Sequence, residues 1–184
     1  VLVLDVSGSM GGVIGELRAF AEEIIDQFVL GPNATHVGVV SFSSAANVLV
    51  DLSDDVSTLT TAIEALIAGG QTAISDGLAS GLQVLQGTNA RAGVSMTMIL
   101  LTDGTQNVGT VDPVTQAATV KGAGVELFTI GLGGAEASEL QAMASEPPSV
   151  HTFVATSSND AQGIAQIHAY FANGRFCQLA ASPK

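Results

Sequence analysis

Positive charge is scarce in this chain: five Lys plus Arg stand against seventeen Asp plus Glu in 184 residues, a formal net charge of −12. Nucleic acid is therefore a poor partner, because affinity there comes largely from cations that neutralise phosphates. An anionic membrane surface is equally unsuited. Cysteine is almost missing as well. Cys177 stands alone near the C-terminal end, which excludes an internal disulfide framework and a cysteine metal site. It is either a buried thiol or one half of a disulfide to a segment outside these residues. No apolar run approaches the ~20 residues needed to span a bilayer, so direct membrane insertion is not expected. No basic stretch precedes the first apolar run, and no signal peptide is read. The abrupt start on an apolar strand suggests a domain excised from a larger protein.

What is present is a core. The chain is 47% hydrophobic and 12% charged, which suits a globular protein and not a disordered one. Its length suits one domain over residues 1–184. Residues 1–4 read as a buried strand. Residues 13–29 place Ile14, Leu17, Phe20, Ile24, Ile25 and Phe28 at helical spacing, and Gly31-Pro32-Asn33 breaks that helix. Two valine-rich strands follow at 36–42 and 46–52, close enough for an antiparallel hairpin. Helices are predicted over 54–66, 73–85, 113–121, 135–144 and 160–171, with strands at 95–101, 125–130 and 150–154. Strands that are continuous apolar runs and alternate with helices indicate an α/β fold. The expectation is a doubly wound, mostly parallel central sheet with one antiparallel edge strand and helices on both faces.

The chemistry concentrates where the first strand runs out. Asp5-Val6-Ser7-Gly8-Ser9 supplies one carboxylate and two hydroxyls at alternate positions, small oxygen donors of the kind a hard divalent cation prefers. One charge among three donors leaves such a cation under-neutralised and open to an outside oxygen. In folds of this class ligands bind outside the carboxyl ends of the strands, near the point where strand order reverses. Two further segments offer matching groups there. Leu101-Thr102-Asp103-Gly104 puts a carboxylate at a strand end, and Gly69-Gly70-Gln71-Thr72 puts a hydroxyl just before a helix. Asp5, Ser7, Ser9, Thr72 and Asp103 can thus converge on one oxygen-lined site. With waters completing the shell, six-fold coordination suits Mg²⁺, with Mn²⁺ or Ca²⁺ as alternatives.

These motifs resemble those of the von Willebrand factor type A domain, the family that includes integrin inserted domains and many matrix proteins. The D-x-S-x-S run at 5–9, Thr72 in G-G-Q-T-A-I-S-D-G-L and T-D-G at 102–104 match that family's metal-ion-dependent adhesion site in order and spacing. Val37-Gly38-Val39-Val40-Ser41-Phe42 and Phe128-Thr129-Ile130-Gly131-Leu132-Gly133 extend the likeness over almost the whole chain. The resemblance implies that both serines, with either Thr72 or Asp103, touch the metal, the remaining groups acting through water. It implies a partner protein whose acidic side chain completes the shell. It also implies that Thr72 and Asp103 exchange direct and water-mediated roles as the last helix, 160–171, shifts.

Other readings stand beside this one. Asp76, in the first turn of a helix, is favoured there by the helix dipole and is also a candidate for tuning the cation from outside its shell. Asp51, Asp54 and Asp55 read as a solvated loop and helix cap. His36, His151 and His168 lack ligand spacing and read as structural. Asn33-Ala34-Thr35 is a glycosylation acceptor triplet. With the acidic surface and the late cysteine, it leans towards an extracellular or cell-surface setting. The rival is an intracellular type A domain acting as an assembly subunit, as in magnesium-chelatase-like or copine-like proteins. Catalysis is not expected. A haloacid-dehalogenase-like phosphatase needs a second aspartate as general acid where Ser7 stands, and a hydroxyl cannot supply that proton. Gly131-Leu132-Gly133-Gly134 is an incomplete dinucleotide loop, and neither a G-x-x-x-x-G-K-[ST] loop nor a G-x-S-x-G elbow is present.

Overall fold

Six strands make one sheet, and the order in which the chain lays them down fixes where its loops gather. In this computed structural model residues 1–154 are described; the helix expected at 160–171, with His168 and Cys177, lies outside them. The strands are β1 (Leu2–Asp5), β2 (Val37–Phe42), β3 (Ala46–Ser53), β4 (Met96–Thr102), β5 (Val125–Gly131) and β6 (Thr152–Val154). They stand in the order β3-β2-β1-β4-β5-β6. The β2–β3 pair is antiparallel and every other pair is parallel. The chain builds outward from β1 to β2 and β3, then returns to the other side of β1 for β4. Strand order therefore reverses between β1 and β4.

Alternation along each strand feeds two cores. Leu2, Leu4, Val39, Ile99 and Leu101 face one side, where they meet Leu17, Phe20 and Ile24 of α1 (Ile14–Asp26) and Leu59 and Ile63 of α2 (Val56–Glu64). Val3, Val40, Phe42, Met98 and Leu100 face the other. There they meet Ile74 and Leu78 of α3 (Ile74–Leu85), Val120 of α4 (Pro113–Gly122), and Leu140 and Met143 of α5 (Ala137–Met143). Strands buried on both faces read as unbroken apolar runs for this reason. The close seat of α3 depends on two glycines one turn apart. A Cβ on Gly77 would lie 2.7 Å from the Phe42 ring, and one on Gly81 2.9 Å from both Met98 and Val3.

Two local expectations need correction. Residues 150–154 are not one strand: α6 (Pro148–His151) occupies the start, and only 152–154 join the sheet. Pro148 sits in the first turn of α6, where its fixed φ and missing N–H suit a helix start. His151 is buried between Pro147 O and Glu126 Oε1, each 3.0 Å from a ring nitrogen. The first helix also ends at Asp26 instead of 29. Its last turn tightens as Gln27 and Phe28 donate to Ile24 O and Ile25 O.

Candidate metal centre

The carboxyl end of β1 turns sharply. Ser7 is extended, and a 3₁₀ turn runs from Gly8 to Gly12, with the Met10 N–H donating to Ser7 O at 3.1 Å. A tight turn is expected here from the sequence, but its 3₁₀ form was not legible, because three glycines in five residues carry no helical propensity. It is held from a neighbouring loop: Gly8 N–H donates to Gly70 O at 3.0 Å, and Gly69 N–H to Val6 O at 2.7 Å. A Cβ on Gly8 would meet Gly70 O at 3.2 Å, and Gly70 itself has φ +86°, a left-handed conformation that suits glycine.

Asp5 is 0% exposed. Its Oδ1 accepts the Ser7 N–H at 2.8 Å and its Oδ2 accepts the Thr102 hydroxyl at 2.6 Å. Ser7, 1% exposed, has its Oγ 3.1 Å from Ser9 Oγ, and Ser9 Oγ donates to Asp103 Oδ1 at 2.8 Å. Asp5, Ser7, Ser9 and Asp103 are therefore joined in one hydrogen-bonded chain across the β1–β4 switch point. Thr72, 4% exposed, follows Gly70 by two residues, in the loop that grips the turn. Its N–H donates to Asn107 Oδ1 at 2.8 Å, and its carbonyl accepts from the Asn107 and Val108 N–H groups at 3.0 and 3.3 Å.

Burial pushes the Asp5 carboxyl above its ordinary value. The hydrogen bonds from Thr102 and Ser7 act against that rise, and the Asp103 carboxylate adds to it. A buried anion with a second carboxylate nearby is where a cation relieves most.

Among the described residues no three or more His, Cys, Asp or Glu group to hold a metal. The cluster that does form is of another type, two carboxylates with serine hydroxyls, all hard oxygen donors of the kind Mg²⁺ takes alongside water. Oxygens about 2.1 Å from a six-coordinate Mg²⁺ stand about 3.0 Å apart along an octahedral edge. The 3.1 and 2.8 Å separations around Ser9 Oγ bracket that spacing. The residues fit the ion.

Three helpers escaped the sequence reading. Thr102, fully buried, donates to Asp5. Asn107 and Gln106 cap α3 from a distant loop, the Gln106 Oε1 accepting the Ser75 N–H at 2.8 Å. The available signal was negative: α3 is strongly periodic, yet Ala73 at its N-cap has no side-chain acceptor, so its caps had to come from elsewhere. Asp76 is exposed on the first turn of α3, and its carboxylate joins none of the cluster's hydrogen bonds among the described residues. Asn33 is exposed in the turn before β2, at the opposite end of the sheet. Asp55 caps α2 by accepting the Ser57 N–H at 3.0 Å and the Thr58 hydroxyl at 2.6 Å.

The model of the von Willebrand factor type A domain family matches residues 1–167. The chain belongs to that family. Human matrilin-1 is 31% identical to this type A domain over 160 residues, covering 82% of this chain and 32% of that protein. A mouse protein named for sushi, von Willebrand factor type A, EGF and pentraxin domains is 31% identical over 193 residues, 97% of this chain and 5% of that protein. This type A domain thus spans a third or less of these curated relatives. The structure of proximal thread matrix protein 1 from the mussel byssus, with a zinc-occupied adhesion-site motif, superposes with a TM-score of 0.78. It is 30% identical, over 93% of this chain and 44% of that one. The doubly wound fold with one antiparallel edge is the family's fold.

Proposed function

We propose that this type A domain is a protein-binding module of the extracellular matrix or cell surface, and not an enzyme. Its switch-point cluster would hold a divalent cation that meets an acidic side chain of the partner. The observation that carries this reading is the hydrogen-bonded chain Asp5–Ser7–Ser9–Asp103, with oxygen spacings of 3.1 and 2.8 Å. The zinc-occupied motif of the mussel protein supports it, as does the likeness to matrilin-1.

A bound cation, Mg²⁺ by default, supplies a Lewis-acidic position that an external carboxylate can fill. The chain's own residues do the rest. Ser7 and Ser9 present hydroxyl lone pairs, and Thr72 or Asp103 supplies the third protein oxygen. Asp5, fixed by the Ser7 N–H and the Thr102 hydroxyl, holds the turn and balances charge from beneath. Two carboxylates against a divalent ion leave no excess negative charge to repel a third. Gly69, where a Cβ would meet nothing within 4 Å, leaves room for a partner's backbone.

Calorimetric titration with Mg²⁺ tests the site directly, followed by capture of purified matrix proteins with Mg²⁺ or with EDTA. We expect saturable metal binding, and capture that EDTA abolishes. Capture that survives EDTA unchanged would sink the metal bridge. Asp5→Ala should lose both metal binding and capture while keeping its far-ultraviolet circular dichroism.

A further inference from the structure

The parallel topology places the N-termini of α1, α3, α4 and α5 at the same end of the sheet as the cluster, since each follows a strand end or loop gathered there. Every one of these helices opens on carboxylates. Glu16 lies in the first turn of α1, Asp76 in that of α3 and Glu139 in that of α5; Asp112 and Glu136 are the N-cap residues of α4 and α5. Glu16, Asp76, Asp112 and Glu136 are exposed and Glu139 is half-buried. Each helix N-terminus carries about half a positive charge, less than the one or two full negative charges beside it. The rim stays acidic.

Of the described cations only Arg18, early in α1 and beside the loop that leads to Gly69, lies at this end of the sheet, one positive charge against five carboxylates. Arg18 donates to Leu66 O, Arg91 to Pro32 O and Ala34 O, and Lys121 to Ala142 O and Ala144 O. All three described Lys and Arg side chains are thus engaged by backbone carbonyls, and Arg91 and Lys121 lie at the far end of the sheet. Crowding of like charges is visible at α5: burial raises the Glu139 carboxyl, and the neighbouring Asp112 and Glu136 raise it further.

We infer that the metal face selects a partner whose coordinating carboxylate is isolated within a cationic, Lys- or Arg-rich protein surface. The inference rests on the metal-bridged reading above. A divalent ion balances Asp5 and Asp103 and leaves the five rim carboxylates in excess over Arg18. A partner with acidic residues flanking its coordinating side chain meets five like charges against a single cation among the described residues, Arg18. A partner with basic flanks pairs its cations with the rim and inserts one carboxylate at the ion. Such a rim also steers encounter, by factors of about 10 or more in on-rate at low salt.

The test uses four labelled peptides of equal length on the whole chain in Mg²⁺. They carry Glu between Lys-rich flanks, Glu between Gly/Ser flanks, Glu between Asp-rich flanks, and Gln between Lys-rich flanks. We expect the basic-flanked Glu peptide to bind about tenfold more tightly than the neutral one, and the acidic one most weakly. That advantage should shrink as ionic strength rises from about 0.01 to about 1 M and the Debye length falls from ~30 to ~3 Å. The triple variant Glu16→Gln, Glu136→Gln, Glu139→Gln should lose most of the advantage while binding the neutral peptide as before. Equal binding of the three Glu peptides, each abolished by EDTA, overturns this inference and leaves the metal bridge standing. Basic-flanked Glu and Gln peptides that bind alike, with or without EDTA, overturn the metal bridge. Failure of all four to bind at millimolar concentration overturns both.

Discussion

Asp5→Asn separates what the buried carboxylate does for the fold from what it does for a cation. Asparagine has the same shape. Its carbonyl oxygen can accept the Ser7 N–H, now 2.8 Å from Asp5 Oδ1, and its amide can donate to the Thr102 oxygen, now 2.6 Å from Oδ2. The Thr102 hydrogen then turns to Gly104 O, 3.2 Å away. No hydrogen bond is lost in count. Two charge-assisted bonds become neutral ones, at about 1 kcal/mol each. Against that, a fully buried anion disappears, whose desolvation costs several kcal/mol even after relaxation. The raised Asp5 pKa shows that burial outweighs the donors. The metal-free variant should therefore be as stable as the parent or about 1–2 kcal/mol more so. At about 2–4 °C per kcal/mol for a chain of this size, that is a rise of up to about 8 °C in Tm in EDTA. Metal reverses the order. At a hundred times its Kd, Mg²⁺ adds ~2.7 kcal/mol to the parent, or about 5–11 °C, and nothing to the variant. Scanning calorimetry of both proteins in EDTA and in Mg²⁺ reads all four states. A variant that melts well below the parent in EDTA, or keeps the Mg²⁺ shift, would refute the reasoning.

The same carboxyl sets a pH trend. Its folded pKa lies above its unfolded value, so the folded state holds the extra proton between the two. Metal-free stability should then fall as pH rises through and just above the ordinary carboxylate range, and Asp5→Asn should flatten that part of a stability–pH curve. Asp55 works in the opposite sense. The Thr58 hydroxyl, and then the N–H groups of the first turn of α2, hold its carboxyl below the ordinary value. Its contribution is full above the ordinary carboxylate range and is lost as pH falls through the folded value, a slope that Asp55→Ala should remove. Gly77→Ala places a Cβ 2.7 Å from the Phe42 ring. Overpacking of this kind costs about 1–3 kcal/mol, so its Tm should drop by about 2–12 °C. Mg²⁺ affinity measured by calorimetry should weaken too, because α3 carries Thr72 into place from its N-terminus. An unshifted Tm would show that α3 has slack against the sheet.

The order of elements was readable because each strand is a short apolar run and each helix a clean period, patterns written within ten or so residues. The 3₁₀ form of the turn at 8–12 was not, because its geometry comes from the loop at 69–70 that grips it. The start of the last strand was misread for a related reason. Val150 and His151 look like strand residues until Pro147 O and Glu126 of β5 claim the imidazole. The capping of α3 by Gln106 and Asn107 joins positions 31 and 35 residues apart, beyond any local signal.

By itself the sequence determined the donor types and their alternation: one carboxylate and two hydroxyls on a glycine turn, a threonine before a helix and an aspartate after a strand. It could say what ion such oxygens suit, because hardness and charge belong to the residues. Only the tertiary structure decided that Asp5, the two serines and Asp103 meet. Ser9 reaches Asp103 across 94 residues and Thr102 reaches Asp5 across 97, because parallel strands joined by helical crossovers bring every carboxyl end to one side. That same geometry gathers the helix N-termini with their capping carboxylates around the cluster. Acidic residues that look scattered along the chain become a rim only when the sheet is built.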